Sequence, residues 1–194
     1  MNKPISTIEY HKFYIETAVQ RILEVLYKYP DKEFSLSDLA KLAKVSKSDI
    51  GAIIANLVDY KYLEVEKLTK IWRIRAKKTS RTFIKGKIIY NLNFIYQSGV
   101  IEFLYEHYKH PKSITLFGSF RKGEDISGSD IDIAVESDEF KEYNVTGLRG
   151  LVEFEKSIGR KIQIHEFSRK NVDINVFNNI ANGVVLAGFL EVRI

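Results

Sequence analysis

Residues 117–135 read FGSFRKGEDISGSDIDIAV. A Gly-Ser pair, Gly118 and Ser119, closes one apolar run; ten residues follow, and Asp130 and Asp132 then stand inside a second apolar run. Side chains alternate along a strand, so the two aspartates project from one face while Ile131 and Ile133 enter the core. Neighbouring carboxylates repel each other and lose hydration, a cost that needs compensation. A hard divalent cation supplies it, and magnesium bound to phosphate commonly uses one or two such groups. Gly118 lacks a Cβ, so its backbone can approach a phosphate closely, and Ser119 offers a hydroxyl and an N–H where a helix is expected to start. Lys122, with Arg121 beside it, adds positive charge. The stretch therefore reads as a triphosphate held between a glycine corner and a metal gripped by Asp130 and Asp132.

The flanking pattern is that of an α/β unit with a small mixed sheet. A strand over 113–117, a turn and short helix through 128, a strand over 130–135, a helix around 145–158, the strand KIQIHEF and a last helix around 172–181 follow one another. Upstream, residues 83–110 form a long helical segment broken near Ser98 and Gly99, with aromatic residues at helical spacing that read as a core stripe.

Further towards the N-terminus, apolar residues recur at helical spacing from His11 to Tyr29, where Pro30 ends the run. Ser35 can cap a helix over 36–43 with Asp38 in its first turn, and Ser46 or Ser48 can cap a second helix that buries Ile50, Ile53, Ile54, Leu57 and Val58. YLEVEK and IWRIRA then alternate at period two, as a hairpin with Leu68 to Lys70 near its tip. Three helices followed by a hairpin resemble a winged helix-turn-helix over about residues 10–78. The expected domains are 1–80, a connecting helical segment at 81–110, and 111–194.

Charge is uneven between these parts. The chain of 194 residues has a formal net charge of +5, but residues 1–85 hold 17 Lys/Arg against 10 Asp/Glu and residues 86–194 hold 13 against 15. A basic front half points towards nucleic acid. Lys44 and Lys47 flank the turn before the second helix of the pair, and Lys67, Lys70, Arg73 and Arg75 line the hairpin, where a wing would meet phosphates. On the exposed face of the second helix, Asn56 is the side chain suited to reading a base, so duplex DNA binding stands beside dimerisation or partner docking as the use of this unit.

Composition excludes several classes. With 45% apolar residues and no cysteine, the chain can bury a core and has neither disulfides nor thiolate chemistry. The N-terminus lacks an apolar signal region, and GVVLAGFL at 183–190 is too short to span a bilayer. These features lead to the expectation of a cytoplasmic protein without a membrane partner.

The Gly-Ser pair, the ten-residue spacing and the DID triplet between apolar strands resemble the DNA-polymerase-beta-like nucleotidyltransferase superfamily, and most closely its minimal nucleotidyltransferases, over about residues 90–194. The resemblance implies that Gly118 and Ser119 contact the β- and γ-phosphates of a nucleoside triphosphate, ATP or another. It also implies that Asp130 and Asp132 bind Mg²⁺ or Mn²⁺, and that a nucleoside monophosphate moves to a hydroxyl with loss of pyrophosphate. Acceptors in such families include protein side chains, nucleic acids and small molecules. The family usually adds a third acidic residue from a neighbouring strand; here GRKIQIHEF places Gln163 in that slot, with His165 on the same strand face as a candidate proton acceptor. Gln163 favours a rival reading, a DNA-binding regulator whose second domain binds nucleotide without turning it over. The winged-helix resemblance implies a homodimer.

Overall fold

The computed structural model describes residues 17–68 and 72–192. Lys70, one of the expected hairpin cations, lies outside the described residues. Chain contacts divide the described residues into two units: 17–68 and 72–90 with 123–127, and 91–122 with 128–192. The division falls inside a helix rather than at its ends.

In the first unit the order is α1 (Ala18–Lys28), β1 (Glu33–Phe34), α2 (Leu36–Ala43), α3 (Lys47–Asp59), β2 (Leu63–Lys67) and β3 (Trp72–Ala76). The opening part of α4 (Arg81–Gln97), through Tyr90, completes it. The starts of α1, α2 and α3 are explained by their caps. Thr17 and Gln20 form a reciprocal capping box at α1, the Ser35 hydroxyl accepts from the Asp38 N–H at 3.1 Å, and Ser46, rather than Ser48, accepts from the Asp49 N–H at 3.3 Å. Lys44 ends α2 in the left-handed region with φ 51°. The three strands form an antiparallel sheet in the order β1-β3-β2. Ile22, Leu26, Leu39, Ile50, Ile54, Leu57, Leu63, Ile74 and Phe83 make the core. Val58 is 38% exposed and not part of the buried face of α3.

A charged pair is sealed inside this unit. Lys87 Nζ lies 3.0 Å from Asp125 Oδ1, with side-chain exposures of 1% and 0%, and also donates to the Asp125 carbonyl. Segment 123–127 is held there at two further points. Asp31 accepts from both the backbone N–H and the hydroxyl of Ser127, and Gly123, with φ +70°, lies so close to the Ile84 carbonyl that a Cβ would not fit.

The second unit takes α4 from Asn91 onward, α5 (Val100–His107), β4 (Ser113–Phe117), α6 (Gly118–Lys122), β5 (Ile131–Glu136), β6 (Asn144–Thr146), a 3₁₀ turn (Arg149–Leu151), α7 (Val152–Ile158), β7 (Ile162–Phe167), α8 (Ile174–Ala181) and β8 (Val184–Gly188). Its five-stranded mixed sheet has the order β6-β7-β5-β4-β8. β5 is central, antiparallel to β4 and parallel to β7. Ile114, Leu116, Ile131, Ile133, Ile162 and Ile164 are buried to 1% exposure or less.

In the second unit the structure departs from the sequence expectation at β6 and β8. The helix expected around 145–158 begins at Val152, because Asn144–Thr146 pairs with β7 and Gly147 and Gly150 are poor helix formers. The apolar run after Gly183 is a strand, β8, paired with β4. No helix among the described residues is long and apolar enough to cross a membrane.

Removing one partner of a buried pair leaves an uncompensated charge, at a cost of about 3–5 kcal/mol. Lys87→Met should lower stability by that order, and Lys87→Met with Asp125→Leu should recover most of it. Urea unfolding followed by emission of Trp72, the chain's single tryptophan, measures both.

Candidate active site

The centre of the site is the top of β5. Ile131 and Ile133 are fully buried, whereas Asp130, just before the strand, and Asp132 within it are only half-buried and share the other face. Phe117 is the cross-strand partner of Asp132, so the chain leaves β4 beside this carboxylate and turns at Gly118. Gly118 has φ +72°, a conformation that disfavours any residue with a Cβ, and an added Cβ would collide with Asp132 Oδ2. Backbone conformation and close approach both require glycine there. Ser119 follows in α6, and Arg121 and Lys122 occupy its last turn, Lys122 exposed.

β7 runs parallel to β5 and contributes two side chains to the same face. Gln163, whose Cα partner is Asp132, donates from Nε2 to Asp130 Oδ2 at 2.5 Å. His165 places Nε2 3.4 Å from Asp132 Oδ1 and stacks edge-to-face on Phe117, with ring centroids 4.8 Å apart. Glu166 faces away from the aspartates and accepts from the Tyr108 hydroxyl at 2.7 Å and from Asn144 Nδ2 at 3.1 Å. Burial and this glutamate together raise the Tyr108 phenol well above its ordinary value.

Tyr143 belongs to this group, although its sequence neighbourhood gives no signal for it. Its hydroxyl lies 2.6 Å from His165 Nδ1, because β6 pairs antiparallel with β7 and sets Val145 opposite His165. Burial and the nearby Asp132 charge raise the Tyr143 phenol above its ordinary value.

The donor set bears on a metal. No group of three or more His, Asp or Glu side chains among the described residues could hold an ion unaided. Two carboxylates do fit a magnesium or manganese ion that keeps most of its shell in water and phosphate oxygens. The pair suits an ion carried by a triphosphate better than a resident one.

In the first unit, the expected nucleic-acid residues are dispersed. Lys47 opens α3, Lys44 follows α2, and Asn56 is exposed on α3. Lys67 Nζ lies 4.4 Å from the centroid of the Trp72 ring. Arg73 and Arg75 face carboxylates: Arg73 lies 3.6 Å from Glu33 and 3.5 Å from Glu66, and Arg75 lies 3.3 Å from Glu33 and 2.8 Å from Glu64. That sheet face is largely neutralised within itself.

Over part of its length the chain is similar to a Methanocaldococcus jannaschii protein named "putative protein adenylyltransferase", with 44% identity over 54 residues. The match covers 27% of this chain and 54% of that one, so the chain spans about half the length of the relative it matches. Residues 98–182, which contain Gly118, Ser119, Asp130, Asp132, Tyr143, Gln163 and His165, match the nucleotidyltransferase domain family.

Proposed function

We propose that the chain transfers a nucleoside monophosphate, AMP from ATP by preference, to a hydroxyl acceptor. The observation that carries this reading is the glycine corner pressed against the Asp132 carboxylate inside the matched domain. Gly118 and Ser119 would receive the β- and γ-phosphates, with Lys122 nearby to offset their charge. An acceptor hydroxyl oxygen attacks the α-phosphorus; a new P–O bond forms as the bond to the bridging oxygen breaks, pyrophosphate leaves, and the hydroxyl proton passes to water. Asp130 and Asp132 would hold Mg²⁺ or Mn²⁺, which supplies charge stabilisation for the attacking and leaving oxygens when bound. The name of the partial relative favours a protein hydroxyl as acceptor.

The first unit supports a winged helix-turn-helix reading through its capped helix pair and three-stranded sheet. Duplex DNA is the proposed partner, with Lys44 and Lys47 as the phosphate contacts that no carboxylate in the sheet cluster neutralises. A second reading, nucleotide binding without turnover coupled to DNA binding, is favoured by one observation: Gln163 occupies the third-ligand slot and spends its amide on Asp130.

Incubation with α-labelled ATP, Mg²⁺ and candidate acceptor proteins tests transfer directly. Label should appear on an acceptor, and Asp132→Ala should reduce it by about 100-fold or more, equivalent to ~3 kcal/mol of barrier. Gly118→Ala should abolish nucleotide binding, and Gln163→Asp should raise transfer by about tenfold through an added charged ligand. Nucleotide binding with no label in any variant selects the second reading.

Gel shift of random duplex DNA across a salt series tests the first unit. Each phosphate contact adds about 0.9 to the slope of log affinity against log salt, so the Lys44→Ala, Lys47→Ala double variant should lower it by about 2. The Arg73→Ala, Arg75→Ala variant should change it less, and the reverse ranking would place the DNA on the sheet face.

A further inference from the structure

The contact between His165 and Asp132 has a second half that the functional reading leaves unused. A carboxylate only accepts hydrogen bonds, so the contact with Asp132 Oδ1 is a hydrogen bond in the tautomer that carries the proton on Nε2. With Nε2 protonated, the lone pair of the neutral ring sits on Nδ1, where the Tyr143 hydroxyl lies 2.6 Å away. That phenol keeps its proton over the whole physiological range, since burial and the Asp132 charge both raise it. Packing fixes the ring positions: Tyr143 rests against a cluster containing Phe117, Ala134 and Phe167, and Phe117 also meets the His165 ring.

We propose that Tyr143 is a positioning residue: its hydrogen bond to Nδ1 holds His165 as the Nε2–H tautomer, which orients Asp132 beside the Gly118 corner. His165 then donates from Nε2 and accepts at Nδ1, so neither ring nitrogen is left to take a proton from the acceptor hydroxyl. β7 offers one neutral donor to each aspartate, Gln163 to Asp130 and His165 to Asp132, and holds both carboxylates without adding negative charge. The consequence for turnover rests on the nucleotidyl-transfer reading; the tautomer itself does not.

The chain contains four histidines. Nitrogen-15 spectra of full-length protein labelled at histidine, recorded at pH about 8.5, two units above the ordinary imidazole value of about 6.5, report the tautomer of each neutral ring. His165→Gln assigns the signal. The wild type should show Nε2–H at His165, and Tyr143→Phe, which keeps the ring and its packing, should give a mixture of tautomers. Nδ1–H in the wild type, or no change in Tyr143→Phe, would overturn the proposal even if transfer is robust. Where transfer is measured, Tyr143→Phe should lower kcat by about tenfold with little change in the KM for nucleotide, as loss of a supporting residue behind a ligand does. A rise in KM at constant kcat would instead assign Tyr143 to substrate binding.

Discussion

Two carboxylates on one face at the start of one strand are the constraint around which the second unit is arranged. Asp130 and Asp132 cannot be moved apart, because Ile131 and Ile133 between and beyond them fill the core at 0% exposure. Relief therefore comes from neighbours. The parallel strand β7 answers with an amide on Asp130 and an imidazole N–H on Asp132, while the turn at Gly118 leaves room for the second oxygen of Asp132 where any side chain would intrude. Among the described residues no third acid joins the pair in a group that could hold an ion. Gln163 is thus part of a coherent local solution, and in the proposed reading the phosphates of the nucleotide complete the metal shell.

The glycine corner and the aspartate pair are legible in the sequence because both are local: a positive-φ turn needs glycine, and period two puts alternate residues on one face. Strand 113–117 and the caps at Ser35 and Ser46 are legible for the same reason. β6 and β8 are not. β6 has only three residues, and both become strands through partners distant in sequence, Thr146 opposite Ile164 and Val184 opposite Leu116. Tyr143 is hidden for that reason too, since its place beside His165 exists only after β6 has paired with β7.

Charge in the first unit shows the complementary failure. Reading along the chain, Arg73 and Arg75 look like a basic hairpin, but β1 docks on β3 and brings Glu33 between them, with Glu64 and Glu66 arriving from β2. A count of cations along a strand overstates the field when the anions are supplied from across the sheet. The basic character of this half then rests on exposed lysines outside the sheet, and its electrostatic reach towards a polyanion is narrower than the sequence balance suggests.

The account depends on the paired carboxylates receiving their cation together with the nucleotide. Titration of the protein with Mn²⁺, followed by the loss of the free-ion electron-spin resonance signal, with and without a nonhydrolysable ATP analogue, addresses this directly. Weak binding of Mn²⁺ alone, tightened by about tenfold or more by the analogue and lost in Asp132→Asn, is the predicted result. Equal Mn²⁺ affinity with and without the analogue, or tightening that survives in Asp132→Asn, would contradict it.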